Sequence, residues 1–295
     1  MQVGETTAKK GLILEGGAMR GLFTAGVMDV LMENGIEFDG AIGVSAGAAF
    51  GVNYKSKQIG RVVRYNTKFC RDKRYCGLRV LLKTGDIYST DFCYGEVPLV
   101  HDIFDFDAFE KNPMEFYVVA TDVETGKAVY HKYEGLADHG FDWIRASASM
   151  PLVSQIVDID GQKLLDGGIA DSIPVQYFES IGYTKNIAVL TRRAGYQKKK
   201  NRAMPIIKLK YRKYPEFVKT TANRHNVYND TLAYIAEKEK RGELFVIRPE
   251  CDLPVSRVEK NPENLKEAYE IGRRTAQKKL NEIKMFLNAS GTKNM

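Results

Sequence analysis

Apolar and polar positions fall into alternating blocks along the first half of the chain. "GLILEGG", residues 11–17, is a short apolar run that ends in a glycine turn, the pattern of a buried strand. Beyond it Phe23, Val27, Val30 and Leu31 recur at i, i+4, i+7 and i+8, which is one face of a helix, and Gly35 stops it. "FDGAIGV" reads as a second short strand, and the small residues from Ser45 onward as a second helix. Strand, helix, strand, helix predicts a parallel sheet with helices on its faces.

Farther along, residues 114–121 and 128–132 predict a strand pair around Glu124-Thr125-Gly126. Residues 143–150 predict a helix stopped before Pro151. Residues 153–158 and 162–165 bracket Asp160-Gly161, a hairpin turn signal. Residues 186–191 predict another buried strand. Near Arg192 the pattern turns mainly helical, interrupted by "ELFVIRP" at residues 243–249. Asn261-Pro262-Glu263 supplies a capping Asn and a Pro at the first helical position, so a helix is expected from there to about Asn288. The expected organisation is a catalytic α/β domain over 1–191, its central sheet mostly parallel and flanked by helices. A basic, mainly helical extension over 192–295 packs on it.

Composition narrows the class. The 295 residues are 44% hydrophobic and 27% charged, ordinary for a soluble globular protein with a sizeable core. The longest nearly apolar stretch, residues 40–52, is too short to span a membrane as a helix. Residues 1–7 show no basic-then-apolar signal pattern, so a cytoplasmic, non-integral protein is expected. Cys70, Cys76, Cys93 and Cys251 form no C-x-x-C spacing, which supports neither a zinc site nor a redox motif. No metal and no cofactor is expected.

Charge is unevenly spread. The net charge is +7, yet residues 192–224 carry twelve Lys or Arg against one acid, Glu216, a local +11. Two readings fit this segment. It is a solvated helical face, or it meets an anionic surface such as phospholipid head groups or nucleic acid.

Three glycine-framed sites carry candidate chemistry. The first is Gly43-Val44-Ser45-Ala46-Gly47, a G-x-S-x-G pattern between a strand and a helix. A nucleophilic serine needs a sharp turn of this kind, and Gly43 and Gly47 relieve its crowding. The second is Gly16-Gly17-Ala18-Met19-Arg20-Gly21, also at a strand-to-helix junction, where consecutive glycines let backbone N–H groups face a ligand. It matches neither the Walker nor the dinucleotide-binding pattern, and by itself it also suits a tight turn packed on the sheet. The third is Asp166-Gly167-Gly168 after "KLL", which puts a carboxylate at a strand end. By itself it is also an ordinary turn. Of His101, His131, His139 and His225, only His225 follows Asp166, so an order Ser45, Asp166, His225 is formally possible. His225 lies in a basic segment without a loop signature, and only about two strands precede Ser45.

"EGGAMRG", "GVSAG" and "DGG", in this order, together with "RASASMP" and "IADSIPV", resemble the patatin-like phospholipase family. The resemblance covers residues 11–191 and extends in general form to bacterial members with helical tails. It implies a three-layer patatin-like fold and a Ser-Asp dyad without histidine. Ser45 would be the nucleophile and Asp166 the base. Gly16, Gly17 and Ala18 would form the oxyanion hole, with Arg20 and Gly21 supporting that loop, and Gly167 and Gly168 would follow the catalytic Asp. The chemistry would be acyl transfer from a lipid or other acyl ester. Asp171 stands where plant members tend to have Asn. An aspartate with an ordinary pKa near 3.9 is a poor base, so the site must raise it. The alternative reading is a non-catalytic lipid-binding or regulatory protein on the same fold. A nucleic-acid-binding reading would use Tyr211, Tyr214 and Tyr228 as stacking platforms, but no recognised module surrounds them.

Overall fold

The alternating blocks at the start of the chain form β1 (Lys9–Leu14), α1 (Gly21–Glu33), β2 (Gly40–Val44) and α2 (Ala46–Lys55). The computed structural model describes residues 8–289, and residues 1–7, read above for a signal pattern, lie outside the described residues. α3 (Arg61–Phe69), α4 (Leu78–Thr84), a π-helical segment (Asp91–His101) and α5 (Phe106–Lys111) follow. Then come β3 (Glu115–Asp122), β4 (Ala128–Lys132), α6 (Asp142–Ala148), β5 (Val157–Ile159) and β6 (Gln162–Asp166). The chain continues through α7 (Val175–Ser180), β7 (Tyr183–Val189), α8 (Met204–Lys210), α9 (Pro215–Lys240), β8 (Leu244–Ile247) and α10 (Pro262–Asn288). Asn261 caps α10 by accepting the Glu263 N–H at 3.2 Å.

β3, β2, β1, β7 and β8 lie side by side and parallel. β4 and the β5–β6 hairpin are antiparallel. Alternation along each strand sends residues to opposite faces. Leu12, Leu14 and Ala41 join one core cluster with α1, α2 and α10, while Ile13, Ile42 and Val44 join another with α7 and α9. The result is helix, sheet, helix. The "ELFVIRP" interruption is β8, so the C-terminal region adds a strand to the sheet as well as helices. No described helix is long and apolar enough to cross a membrane.

One feature of the pairing decides where the site forms. Ala120 and Thr121 of β3 pair with both β4 and β6, so those strands occupy opposite edges of β3. Tyr117, Val118 and Val119 pair with both β4 and β2, so β2 shares its edge with β6. β2 runs parallel to β3 and ends with Val44 opposite Val119. β6 runs the other way and ends with Asp166 opposite Ala120. The two strand tips therefore meet, and the residue after Val44 is Ser45.

The β5–β6 hairpin sets where β6 ends. Asp160 and Gly161 both have positive φ, +51° and +83°, as a tight I′-type hairpin demands. The first strand of the hairpin is shorter than its apolar run predicts. Residue 153 leaves the sheet because its carbonyl accepts the Ile87 N–H at 2.7 Å.

α10 is locked against α1. A Cβ on Gly272 would overlap the Phe23 carbonyl oxygen, so the helix backbones touch there. Tyr269 donates to Asp29 Oδ2 at 2.7 Å, and Arg273 forks onto Glu33 with two contacts of 2.8 Å. Gly272→Val is expected to destabilise the protein by about 1–3 kcal/mol, the usual range for overpacking, read as a lower Tm. An unchanged Tm would contradict the close crossing.

Candidate active site

Ser45 sits between β2 and α2 with φ +55° and ψ −121°. That conformation is rare for a residue with a side chain and costs about 1–3 kcal/mol, so the surroundings must hold it. They do so by backbone contact. A Cβ on Gly47 would overlap the Leu14 carbonyl oxygen, and one on Gly43 would stand 2.5 Å from the Gly47 oxygen. The Ser45 carbonyl accepts from Ala48 and Ala49, while its own N–H goes to Ser147 Oγ at 2.8 Å. Ser147 in turn donates to the Val119 carbonyl at 2.6 Å. The turn is thus pinned to α6 and β3, and the side chain projects at the start of α2, where the helix field favours negative charge.

Ser45 Oγ donates a 2.8 Å hydrogen bond to Asp166 Oδ2. Asp166 Oδ1 accepts the Gly168 N–H at 2.8 Å, and the Asp166 N–H goes to the Ser149 carbonyl at 2.8 Å. Asp166 is only 5% exposed. Burial pushes its pKa above the ordinary aspartate value, against the opposing pull of Arg224, the Ser45 hydrogen bond and the Gly168 N–H. Desolvation is the dominant cause, which is the direction a general base requires.

The glycine loop lies beside this pair. A Cβ on Gly16 would stand 2.8 Å from the Val44 oxygen and 3.0 Å from Ser45 Cβ. Neither the Gly16 nor the Gly17 N–H has an acceptor among the described residues. Ala18 has φ +49°, and the Arg20 N–H closes the turn onto the Gly17 carbonyl at 3.2 Å. Gly17 packs on Thr191, Gly21 on Phe50, and Gly167 on the Val119 carbonyl. Gly168 packs beneath Arg224 Nη2.

Two cavities meet at Ser45, and both are bordered by Ala18, Ser45 and Met150. The first, about 120 Å³, is walled by apolar and aromatic side chains including Phe50, Tyr65, Tyr94, Val97 and Ile144. Much of its wall comes from residues 61–98. Two arginines on its wall are already paired, Arg61 with Asp102 and Arg145 with Asp142. The second, about 370 Å³, is bordered by the charged side chains of Asp166, Arg20, Arg192, Lys198, Arg224 and Arg257 as well as by apolar residues such as Leu152 and Ile207.

No histidine borders either cavity. His225 lies on α9 with Nδ1 3.0 Å from the Ala222 carbonyl. His131 stacks on Trp143 and contacts Asp138 Oδ2 at 2.6 Å. Asp171 Oδ2 accepts from Tyr130 at 2.8 Å and reaches neither cavity. The four cysteines are unpaired, and burial raises the Cys93 thiol on the first cavity's wall well above its ordinary pKa, keeping it protonated. Tyr211 and Tyr228 are buried, so they are not free to stack on bases.

Ser147 and Ser149, which brace Ser45 and Asp166, were present in "RASASMP" but carried no assigned role. Lys198 and Arg224 lay inside the basic segment, where nothing in the spacing distinguishes an inward cation from a solvated one. Arg257 lay outside every motif.

The sequence profile of the patatin-like phospholipase family matches residues 12–179, and that of a domain of unknown function (DUF6363) matches residues 214–288. The chain belongs to the patatin-like phospholipase family. It is 30% identical over 185 residues to the lysophospholipase nte1 of Aspergillus niger, covering 58% of this chain and 11% of that protein. It is 30% identical over 190 residues to an uncharacterized NTE family protein of Mycobacterium tuberculosis, covering 63% of this chain and 50% of that one. The chain thus spans half the length of these relatives or less. Among solved structures, VipD from Legionella pneumophila aligns over 93% of this chain and 67% of its own at a TM-score of 0.47 and 13% identity.

Proposed function

We propose that the protein is a serine acyl-ester hydrolase acting on lipids, with Ser45 as nucleophile and Asp166 as base. The observation that carries this reading is the 2.8 Å hydrogen bond from Ser45 Oγ to a buried carboxylate, at the junction of two cavities. Ser45 Oγ attacks the ester carbonyl as its proton passes to Asp166 Oδ2. The tetrahedral oxyanion is held by the N–H groups of Gly16, Gly17 and Ala18. On collapse, the proton leaves Asp166 with the departing alcohol. Water then attacks the acyl-Ser45, giving its proton to Asp166, which returns it to Ser45 Oγ as the acid leaves.

The apolar cavity suits an acyl chain, and the family membership and the lysophospholipase relative support a lipid ester. Residues 1–191 carry the chemistry in this reading, and the C-terminal region covers the site and supplies cations. Peripheral contact with an anionic membrane is supported by Leu78 and Leu82 on α4 and by Ile206 and Leu209 on α8, all exposed, the last two beside Lys208 and Lys210. The unpaired cysteines fit a reducing cytoplasm.

An acyl-enzyme has a direct signature. Two esters of the same acid with different alcohols, hydrolysed in dilute methanol, should give the same ratio of methyl ester to free acid. A ratio that changes with the leaving alcohol would contradict a shared intermediate.

A further inference from the structure

The second cavity at Ser45 carries five cations, Arg20, Arg192, Lys198, Arg224 and Arg257, beside the carboxylates of Glu15 and Asp166. Glu15 is engaged elsewhere: Tyr228 donates to Oε1 at 2.6 Å and the Thr191 N–H to Oε2 at 2.5 Å. None of the five cations forms an ion pair among the described residues, although the neighbouring Arg193 pairs with Asp252. The Nε atoms of Arg20 and Arg224 are buried without an acceptor among the described residues. A buried donor with no partner is destabilising, and native proteins rarely keep one without a use.

Two of the cations, Lys198 and Arg192, are held in place by neighbouring groups. Lys198 has its backbone clasped by Asn229, with contacts of 2.8 and 3.1 Å, and its ammonium sits 4.1 Å from the Tyr228 ring. Arg192 lies 4.5 Å from the Tyr196 ring, which meets Tyr228 edge-on. Burial and the neighbouring Arg224 push Lys198 down to about 7, and burial and Arg192 lower Arg20. Like charges crowded into a cavity repel, and an anion between them relieves that repulsion. Four of the five come from beyond residues 12–179, so this cavity is built jointly by the two matched regions and the segment between them.

We propose that this cavity is the head-group subsite of the active site and takes a phosphate monoester or diester borne by the same molecule as the acyl ester. The assignment rests on the acyl-hydrolase reading. Guanidinium forks match phosphate oxygens bidentately, and four of the five cations are arginines. The shared border at Ala18, Ser45 and Met150 puts the acyl chain in the apolar cavity, the ester at Ser45 and the phosphate among the cations. A quaternary ammonium head group meets repulsion there, because the Tyr196 and Tyr228 rings already face cations.

The test is equilibrium binding to the full chain carrying Ser45→Ala, which removes turnover. Titrants are inorganic phosphate, glycerol 3-phosphate and monolauroyl glycerol 3-phosphate below its micelle threshold. The expected result is one site per chain, with the acylated phosphate binding at least about tenfold tighter than inorganic phosphate because its chain enters the apolar cavity. Arg192→Gln or Arg257→Gln, both at accessible positions, should weaken it about tenfold each, the size of one charged hydrogen bond. Inorganic phosphate binding as tightly as the acylated ligand would overturn the subsite and mark a free-anion site. So would acylated-phosphate binding indifferent to both substitutions, or no binding. Fluorophosphonate labelling of the wild type is read in parallel. Labelling without phosphate binding removes the subsite and leaves the hydrolase. Phosphate binding without labelling removes the hydrolase reading, and the subsite with it.

Discussion

Ser45→Ala should lower kcat/KM for an acyl ester by about 10⁴-fold or more, as loss of a nucleophile does when no other group replaces it. The change deletes one oxygen and its single hydrogen bond to Asp166. The contacts that hold the turn, from the Ser45 N–H to Ser147 Oγ and from the Ala48 and Ala49 N–H groups to the Ser45 carbonyl, remain. Thermal stability should therefore move little, which separates lost chemistry from lost fold. A fall of only about tenfold would mean that another group attacks the ester.

Asp166→Asn should cost about 10²–10⁴-fold, the range for a positioned general base. The amide is isosteric and keeps an oxygen for the Gly168 N–H, but the atom facing Ser45 can no longer take its proton. The pH profile follows from the same group. As the proposed base Asp166 would act only when ionised, so kcat/KM should rise with pH through one ionisation. Burial raises that ionisation, so the acid limb should lie above the ordinary aspartate value of about 3.9. The Arg224 cation favours the carboxylate, so Arg224→Gln should move the limb to still higher pH. A limb that stays fixed in Arg224→Gln and persists in Asp166→Asn would assign it to another group.

Much of this was legible in the sequence, and the reasons are local. β1, α1, β2 and α2 follow from apolar spacing that a short strand or an amphipathic helix imposes. The Asp160-Gly161 turn follows from residues that tolerate positive φ, and the start of α10 from Asn261 and Pro262. Ser45, Asp166 and the glycine loop stood out as candidates because each sits at a strand end framed by small residues. Their meeting followed only from the family resemblance, which implies the Ser-Asp dyad, and not from the residue pattern. It depends on β2 and β6 approaching along one edge of β3 from opposite directions, a pairing across 121 positions that no local pattern encodes. The inward cations were hidden for a related reason. Lys198 and Lys199 are neighbours in one basic run, yet Lys198 faces the cavity because Asn229 and Tyr228 of α9 hold it, whereas Lys199 is exposed.

The most direct measurement is intact mass after exposure to a fluorophosphonate, for the wild type, Ser45→Ala and Asp166→Asn side by side. One adduct on the wild type, none on folded Ser45→Ala and much slower labelling of Asp166→Asn is the expected result. A folded wild type that takes no adduct, or an adduct that survives Ser45→Ala, would contradict an activated Ser45 and turn the account toward lipid binding without turnover.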